Sequence, residues 1–564
     1  MHALRRAASV AVLLLLGATH AWAGGGPENI FLLVNARGAK SKEVANAYIA
    51  LRRIPPNNVF YLPTPPNANR MTGLDFREKI LRPTIAEIER RGLRSHIDYL
   101  VYSCEFPWQI DFSAMLGLPN VGGLNRPILS LTGATYLYQF VEQGEAAITQ
   151  LNTNFYCVPA DVGPSTTRAF RATYQWMPGG ARVAQGGLSY MLCTQLGCSQ
   201  PEGNAVDEMK TYLKRAVEAD GARPPGTFYY MKNSNVRSTV RDPGFSAAVR
   251  ELRALGLKAQ IGNGIVPERA GALLGLTTGA IHVRLEGSGS QLAPGALVDN
   301  LTSAGGVLTR VANPTPQTRI SEYLRAGAAG ASGTVIEPFA VGPKFPAPAL
   351  HVHYARGSSL AEAFYQSVQA PFQLLILGDP LCQPWAFIPK VSIEGVADGA
   401  SISGKVEIKP SAELYGKRAV DRFEFYIDGR PQPARKPGQA ISLDSTKLAD
   451  GYHELRVIAV DDSPVETQGR WIGGVTVDNG PGAASLTSPA GSRVTGAQVT
   501  LNVNSTVDGV TAVFHNGREV GRITGRQGVL TVPTEKLGRG PVTLDARTLG
   551  KTPLRSPPLT LEIH

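Results

Sequence analysis

The run IFLLVN at residues 30–35 decides the fold class of the front part of the chain. Its apolar residues follow one another without polar alternation, which is typical of a parallel strand buried on both faces. Between Val44 and Leu51 the apolar residues then recur at the i, i+3, i+4, i+7 spacing of one helix face. The run VFYL at 59–62 follows as the next strand, so the chain opens with a β–α–β unit.

This alternation of short apolar runs and amphipathic segments continues to about residue 390. It predicts an α/β domain whose right-handed crossovers place the strands in one mainly parallel sheet with helices on both faces. Further strands are predicted at 97–103, 227–232, 258–261, 333–337 and 372–377. Hydrophobic residues make up 43% of the 564 residues and charged residues 18%, which excludes a mainly disordered chain.

After residue 390 apolar and polar residues alternate, as in FEFYIDG at 423–429, which is typical of antiparallel strands with one wet face. The tail also repeats itself. Asp428-Gly429, a pair that suits a tight hairpin turn, recurs as Asn516-Gly517 after 88 residues. We therefore predict two all-β, immunoglobulin-like sandwiches at residues 391–480 and 481–564, behind an α/β domain at residues 24–390.

Residues 1–23 have the three parts of a secretory signal peptide. Arg5 and Arg6 supply positive charge, residues 7–18 are apolar, and Ala21-Trp22-Ala23 forms a small-x-small cleavage site. The apolar stretch is shorter than the roughly 20 residues that span a bilayer. The sequence predicts an exported protein, periplasmic or extracellular, with no transmembrane anchor after signal cleavage.

The formal net charge is +11, and the lysines and arginines are scattered along the chain rather than clustered. Scattered charges predict no nucleic-acid partner. A modest basic excess suits anionic polysaccharide or lipid headgroups, or simply keeps the protein soluble.

Five cysteines would enter an oxidising compartment, and their odd number leaves at least one thiol without an intramolecular partner. Cys193 and Cys198, in CTQLGC, are close enough in sequence to close a small disulfide loop. The alternative is that the two cysteines bind zinc, but no second Cys or His pair lies nearby at metal-site spacing.

Catalytic candidates lie at predicted strand ends, because the sequence contains no GxSxG, HExxH or Walker A motif. His282 lies ahead of a glycine-rich loop. It is either a general acid–base catalyst or a strand histidine whose hydrogen bonds are satisfied. Ser303, in LTSAGG, is a nucleophile if a base adjoins it, and otherwise a hydroxyl that caps a turn. Arg237 and Arg241 either grip an anion or belong to a solvated loop.

Two carboxylates also follow predicted strands, Glu337 in GTVIEP and Asp379 in LLILGDP. At adjacent strand ends they would form an acid–base pair or a cation site, or each would cap the turn that follows it. His351 and His353 would lie on one side of an extended segment as metal-ligand candidates, although a third ligand is not apparent. The sequence predicts no cofactor.

Several stretches resemble a family of exported, uncharacterised bacterial proteins associated with exosortase-type protein sorting. They include ENIFLLVNARGAKSKEVANAYIALRRIPPNNVFYL, GTFYYMKNSNVRSTVRDPGF and the block from VDNLTSAGG to LLILGDPLCQP, within residues 28–388. The tail run FYIDG…KLADGYHELRVIAVD is similar to bacterial immunoglobulin-like domains. These likenesses imply an envelope setting and bring no established activity.

The order of elements and the closing LLILGDPL also resemble, more distantly, the caspase-like fold of gingipain-type cysteine peptidases. In that family a histidine beside glycines follows one strand and a cysteine follows the next. Here His282 stands near the histidine position, whereas the next strand end reads Leu301-Thr302-Ser303. The resemblance therefore implies a scaffold without its thiolate nucleophile.

The sequence thus favours an exported, non-peptidase α/β protein with binding or adhesion modules, whose partners are envelope polysaccharide or other exported proteins. The alternative is an active, peptidase-like hydrolase that uses His282, Ser303, Glu337 and Asp379.

Overall fold

The computed structural model describes residues 25–65, 68–119, 123–159, 166–309, 316–550 and 553–564. The predicted signal peptide, residues 1–23, lies outside these ranges.

A ten-stranded sheet forms the centre of the front part of the chain. Its strands, in chain order, are β1 Ile30–Asn35, β2 Val59–Leu62, β3 Tyr99–Tyr102, β4 Leu192–Gln195, β5 Thr227–Lys232, β6 Ala259–Asn263, β7 Gly271–Thr278, β8 Ser290–Asn300, β9 Gly330–Thr334 and β10 Leu374–Gly378. All five apolar residues of β1 are fully buried, as its unbroken apolar run predicts.

The sheet consists of two parallel halves that run in opposite directions. The spatial order is β6-β5-β7-β8-β9-β10-β4-β3-β1-β2. Neighbours are parallel throughout, except that β9 and β10 pair antiparallel, with Gly330 opposite Gly378. The carboxyl ends of β5 to β9 therefore lie at one edge of the sheet, and those of β1 to β4 and β10 at the other.

Helices connect most of these strands. The longer ones are Ala39–Arg52, Arg82–Arg90, Leu131–Tyr136, Tyr138–Gln143, Val206–Glu218, Phe245–Ala254, Ile320–Arg325, Leu350–Ala355 and Leu360–Ser367. The first of these packs against Val206–Glu218, and Leu350–Ala355 packs against Phe245–Ala254 and Leu360–Ser367. A side sheet pairs Arg70–Thr72, Gln109–Asp111 and Ile128–Ser130.

The C-terminal part is built of β-sandwich strands. The first sandwich packs Lys390–Glu394, Lys405–Glu413 and Ile441–Asp444 against Ala400–Ile402, Val420–Ile427, Arg430–Arg435, Asp450–Asp461 and Gln468–Val477. The second packs Ala484–Thr487, Gln498–Ser505 and Gln527–Pro533 against Arg493–Val494, Val510–His515, Arg518–Thr524, Gly540–Leu549 and Leu559–Ile563.

Each sandwich encloses its own hydrophobic cluster, one around Phe425 and Val457 and the other around Val513 and Leu544. Leu554–Arg555 pairs with both Asp450–Gly451 and Arg547, which joins one sheet of the first sandwich to one sheet of the second. The exact division of the chain at residues 390 and 480 stays a prediction from the sequence repeat.

The repeated hairpin turns of the two sandwiches meet the same segment of the α/β part. Asp428-Gly429 and Asn516-Gly517 all have positive φ, between 49° and 74°, as a two-residue hairpin turn of this type requires. A Cβ on Gly429 would lie 2.7 Å from the Cβ of Pro55, and one on Gly517 would lie 3.1 Å from the carbonyl oxygen of Pro56. Both sandwiches therefore dock on the Pro55-Pro56 segment that ends the first helix.

Buried polar contacts hold the tail against the α/β part. Glu28, just before β1, accepts a hydrogen bond of 2.8 Å from Arg456, and both side chains are 1% exposed. On the second sandwich, the amide of Asn46 donates to the carbonyls of Leu537 and Arg539 at 3.0 and 2.9 Å. The tail is thus folded back on the front part rather than extended from it.

Candidate functional site

A polar cleft lies between two loops at one edge of the central sheet. The loop at 264–270 leaves the carboxyl end of β6, and the loop at 279–289 leaves that of β7. They close on each other where the Arg269 N–H donates to the Ser288 carbonyl at 2.7 Å. The cleft encloses about 890 Å³, within the range of small-ligand sites.

Four exposed, titratable side chains line this cleft: Glu268, Arg269, His282 and Arg284. None of them has an ion pair within the described residues. Glycines at 264, 287 and 289 line it too, so a ligand can approach the backbone closely. The cleft therefore offers two guanidinium groups and an imidazole against one carboxylate. This balance suits an anionic ligand.

Ser303 follows the neighbouring strand β8 and is held differently. Its hydroxyl accepts a hydrogen bond of 3.2 Å from Nη2 of Arg237, and it is not among the residues that line the cleft. In the described chain His282 makes no hydrogen bond to it. A serine nucleophile needs a base that takes its proton, whereas a guanidinium can only donate. The structure therefore does not join His282 and Ser303 into a catalytic pair.

Glu337 and Asp379 lie at opposite edges of the sheet, which corrects the prediction that they occupy adjacent strand ends. They follow β9 and β10, and those two strands run antiparallel. Each carboxylate accepts a hydrogen bond from the N–H two residues ahead, at 2.9 Å from Phe339 and 3.1 Å from Leu381. This geometry matches the turn-capping alternative.

Asp379 is fully buried and belongs to a structural network. The Tyr48 hydroxyl donates to it at 2.7 Å, and the Nε of Arg52 donates at 2.8 Å. Arg52 also pairs with Asp220, so one guanidinium joins the first helix to two later segments. Asp379 therefore lies in the packed interior rather than at an open site.

Arg241 is also structural, because it is 5% exposed and lies beneath the carboxyl edge of β7 and β8. It forms an ion pair with Asp299 and donates to the Thr278 carbonyl at 2.6 Å. Burial raises the pKa of the Asp299 carboxyl, while Arg241 opposes that rise. Arg241 therefore neither grips an anion nor belongs to a solvated loop, the two alternatives that the sequence offered.

His351 and His353 lie on the helix Leu350–Ala355, not on an extended segment, so their side chains leave opposite sides of the helix. The His351 ring packs 5.4 Å from the Phe228 ring, and Nδ1 of His353 lies 2.9 Å from the Thr167 hydroxyl. Within the described ranges no group of three or more His, Cys, Asp or Glu side chains is arranged to hold a metal ion. The predicted histidine pair therefore does not form a metal site.

All five cysteines are free, buried thiols, so the predicted Cys193–Cys198 disulfide is not formed in this structure. Cys193 lies on β4, where its fixed backbone packs the sulfur into the core. Burial raises the pKa of Cys104, Cys193 and Cys382 well above the usual value, and that of Cys157 and Cys198 to about 12. A buried thiol that stays protonated is a poor nucleophile.

We expect none of the five thiols to react with a disulfide-exchange thiol reagent in the native protein, because each is at most 5% exposed. After denaturation without reductant, five thiols per chain should react. Fewer than five would reveal a disulfide. Rapid labelling of any native cysteine would contradict the burial described above.

The sequence pattern pointed to His282 but not to Arg269 and Arg284, which line the same cleft. The signal was present in the run HVRLEGSGS, where charged residues precede closely spaced glycines after a strand. The sequence did not reveal that the 264–270 and 279–289 loops line one cleft, because the two loops follow different strands.

No protein-family profile and no curated protein matches the chain. Among solved structures it overlaps the fibronectin(III)-like modules of Clostridium thermocellum CbhA, with 15% identity and a TM-score of 0.15, over 31% of this chain and 93% of that one. It overlaps the Bacteroides ovatus mixed-linkage glucan utilization locus SGBP-B, in complex with a mixed-linkage heptasaccharide, with 13% identity and a TM-score of 0.21, over 31% and 47%.

Dimeric latent PorU from Porphyromonas gingivalis overlaps 31% of this chain and 20% of its own, with 15% identity and a TM-score of 0.13. Scores this low carry no argument, so the fold rests on the strands and cores described above. In the described part of the chain, no helix combines the length and apolar character needed to cross a membrane.

Proposed function

We propose that this chain is an exported envelope protein that binds an acidic polysaccharide in the cleft between the 264–270 and 279–289 loops. The α/β part, with a caspase-like arrangement, carries the cleft. The two immunoglobulin-like sandwiches pack against the α/β part and stabilise it. In this proposal the protein is a binding module of the periplasm or cell surface rather than a peptidase.

The observation that carries the proposal is the pair of exposed arginines in the cleft, Arg269 and Arg284, which have no ion-pair partner among the described residues. Guanidinium groups bind carboxylates and sulfates with paired, charge-assisted hydrogen bonds. The glycines beside them leave room for a chain of sugar rings. An open cleft at strand ends is also where α/β sheets commonly bind ligands.

The buried thiols and the arginine-held Ser303 support binding over hydrolysis. A peptidase of the resembled family depends on a thiolate beside an imidazole, and the cysteines here keep their protons. Ser303 receives a hydrogen bond instead of giving its proton to a base. Neither side chain is prepared for nucleophilic attack.

Binding is tested with the full chain by affinity electrophoresis in alginate and polygalacturonate, with laminarin as the uncharged comparison. We expect retardation in the acidic polymers that weakens as salt rises. The double variant Arg269→Gln/Arg284→Gln should lose about tenfold or more in affinity, because charge-assisted hydrogen bonds are removed.

The matched control is Arg522→Gln/Arg526→Gln, which removes the same charge from exposed positions on the second sandwich. It should bind like the wild type. An equal loss of affinity in both double variants would mean that net charge alone explains the binding. The absence of retardation in every acidic polymer would overturn the proposal.

The hydrolase alternative is tested by labelling the native chain with serine- and cysteine-directed activity-based probes. We expect neither class of probe to label the native chain. Labelling that disappears in His282→Ala would show a working nucleophile and would overturn the non-peptidase assignment.

A further inference from the structure

A second cavity lies where the α/β part meets the first sandwich, and its chemistry differs from that of the strand-end cleft. It encloses about 670 Å³. Leu255 and Leu257, which follow the helix Phe245–Ala254, form one wall, and Pro464-Val465 from the first sandwich forms another. Trp385 lies on the segment that joins the two parts. We refer to this cavity as the junction pocket.

Three guanidinium groups border the junction pocket, and no carboxylate is among its described lining residues. Arg356 donates to Glu251 at 2.8 Å, and Arg418 donates to Asp461 at 2.6 Å. These two positive charges are therefore balanced by carboxylates that do not line the pocket. Arg223 has no ion-pair partner within the described ranges. The pocket therefore carries one positive charge that the protein itself does not balance.

Arg223 is held in place by aromatic rings. Its guanidinium carbon lies 3.1 Å from the ring centroid of Phe387, and Tyr415 stacks on the same ring at 4.5 Å. Its Nη2 is buried and has no hydrogen-bond acceptor in the described chain. The guanidinium group borders the pocket without a carboxylate partner, and an anionic oxygen in the pocket would form a charge-assisted hydrogen bond with its accessible side. The arginine is thus preorganised to receive an acidic group.

The remaining walls decide what the acidic group is attached to. Leu255, Leu257 and Val465 offer only hydrocarbon, and the neutral polar side chains of the lining are the hydroxyls of Thr166, Thr167 and Ser463. The lining is mainly apolar, so it suits a hydrocarbon chain better than a sugar. A ligand that buries hydrocarbon against these residues and places one anionic head on Arg223 matches both features. The volume falls within the range of pockets that enclose small ligands.

We infer that the junction pocket binds a medium-chain fatty acid, with its carboxylate on Arg223 and its acyl chain against Leu255, Leu257 and Val465. This site is separate from the polysaccharide cleft and does not depend on the proposed function. Because its walls come from both parts of the chain, the ligand also bridges the α/β part and the first sandwich.

Isothermal titration of the full chain with dodecanoate, below its micelle concentration, tests the site. We expect saturable binding of dodecanoate and markedly weaker binding of hexanoate, because each buried methylene adds to the affinity. Arg223→Gln should weaken dodecanoate binding by about tenfold or more through loss of the charge-assisted contact. The same variant should leave the weaker binding of dodecanol unchanged.

Leu255→Glu provides a second, independent arm, because this leucine is 42% exposed and its replacement does not disturb the core. A carboxylate at the mouth of the pocket should abolish dodecanoate binding. The matched control is Leu549→Glu, at a leucine that is 45% exposed on the second sandwich, and it should bind like the wild type.

Three results would overturn the inference. Dodecanoate could fail to bind, both glutamate variants could bind equally well, or dodecanol could bind as tightly as dodecanoate. Binding of a peptide with an apolar C-terminal residue, without binding of dodecanoate, would reassign the pocket to a peptide carboxyl terminus.

Discussion

Replacing Arg171 by leucine is expected to lower the free energy of unfolding by about 3–5 kcal/mol. Arg171 is 3% exposed and forms an ion pair with Asp98, which lies just before β3. Its Nη2 also lies 3.8 Å from Glu424 of the first sandwich, and that carboxylate is buried as well. Without the arginine, buried Asp98 loses its ion-pair partner, and burial alone raises the pKa of that carboxyl. Glu424 loses only a second positive neighbour, because Arg422 stays at 3.0 Å from it.

Urea unfolding followed by tryptophan fluorescence measures this loss. The control Arg522→Leu removes an arginine from an exposed pair with Glu519, and such pairs contribute about 0–1 kcal/mol. The double variant Arg171→Leu/Asp98→Leu should recover part of the loss, because it removes the buried carboxylate that Arg171→Leu leaves without its partner. If Arg171→Leu is no more destabilising than the control, the buried Arg171–Asp98 ion pair does not contribute to the stability of the fold.

The second large expected effect is unfolding in mild acid. Burial lowers the pKa of His96 and His515 to about 4 and that of His351 and His353 to about 3. These values lie below the ordinary 6.5, so between them the unfolded chain binds more protons than the folded one. The stability contributed by the neutral histidines is complete above pH 6.5 and is lost as the pH falls.

Each histidine contributes up to about 1.4 kcal/mol per pH unit, so the four together contribute about 5 kcal/mol per unit. Glu362 opposes them, because burial raises its pKa to about 7 and the folded state then binds its proton first. Burial also raises the pKa of Asp98, Asp220 and Asp299, which act in the same direction. The Glu362 contribution of about 3 kcal/mol, gained as the pH falls from 7 to 4.5, does not offset four histidines. We expect an unfolding midpoint between about pH 4 and pH 5 for a protein of ordinary stability.

Circular dichroism during a pH titration gives this midpoint. The variant His351→Phe keeps a ring against Phe228 and Tyr230 but removes one titrating group, so its midpoint should move down by about half a pH unit. The control His282→Phe changes an exposed histidine in the cleft and should leave the midpoint unchanged. Equal midpoints in all three proteins would contradict the burial of neutral His351.

The sequence predicted the strands whose residues follow a simple pattern. IFLLVN, VFYL, TFYYMK and LLIL form strands as expected, and the predicted helix from residue 320 is present as Ile320–Arg325. The predicted strand at 333–337 begins three residues earlier, at Gly330, because alanine and glycine in GASGT pack closely against β10. The observed strand boundary thus differs from the predicted one where the strand consists of small residues, which do not form an apolar run.

The sequence pattern gave no bounds for three strands of the central sheet, β4, β7 and β8, although a strand end was predicted just before Ser303. β7 contains Gly275 and β8 contains Pro294 and Gly295, residues that usually interrupt a strand. The structure accommodates them where the β7–β8 pairing shifts its register between Leu273 and Gly275. Such an irregularity depends on the partner strand, which a local pattern does not reveal.

By itself the sequence determined the class of each part: an α/β front with a buried, mainly parallel sheet, and a tail of repeated β-sandwich strands. Those properties follow from hydrophobic periodicity, which each segment carries alone. Only the tertiary structure decided strand direction at the β9–β10 junction, the separation of Glu337 from Asp379, and the docking of both sandwiches on the Pro55-Pro56 segment. These features depend on contacts between residues far apart in the chain, and no local pattern encodes which distant surfaces meet.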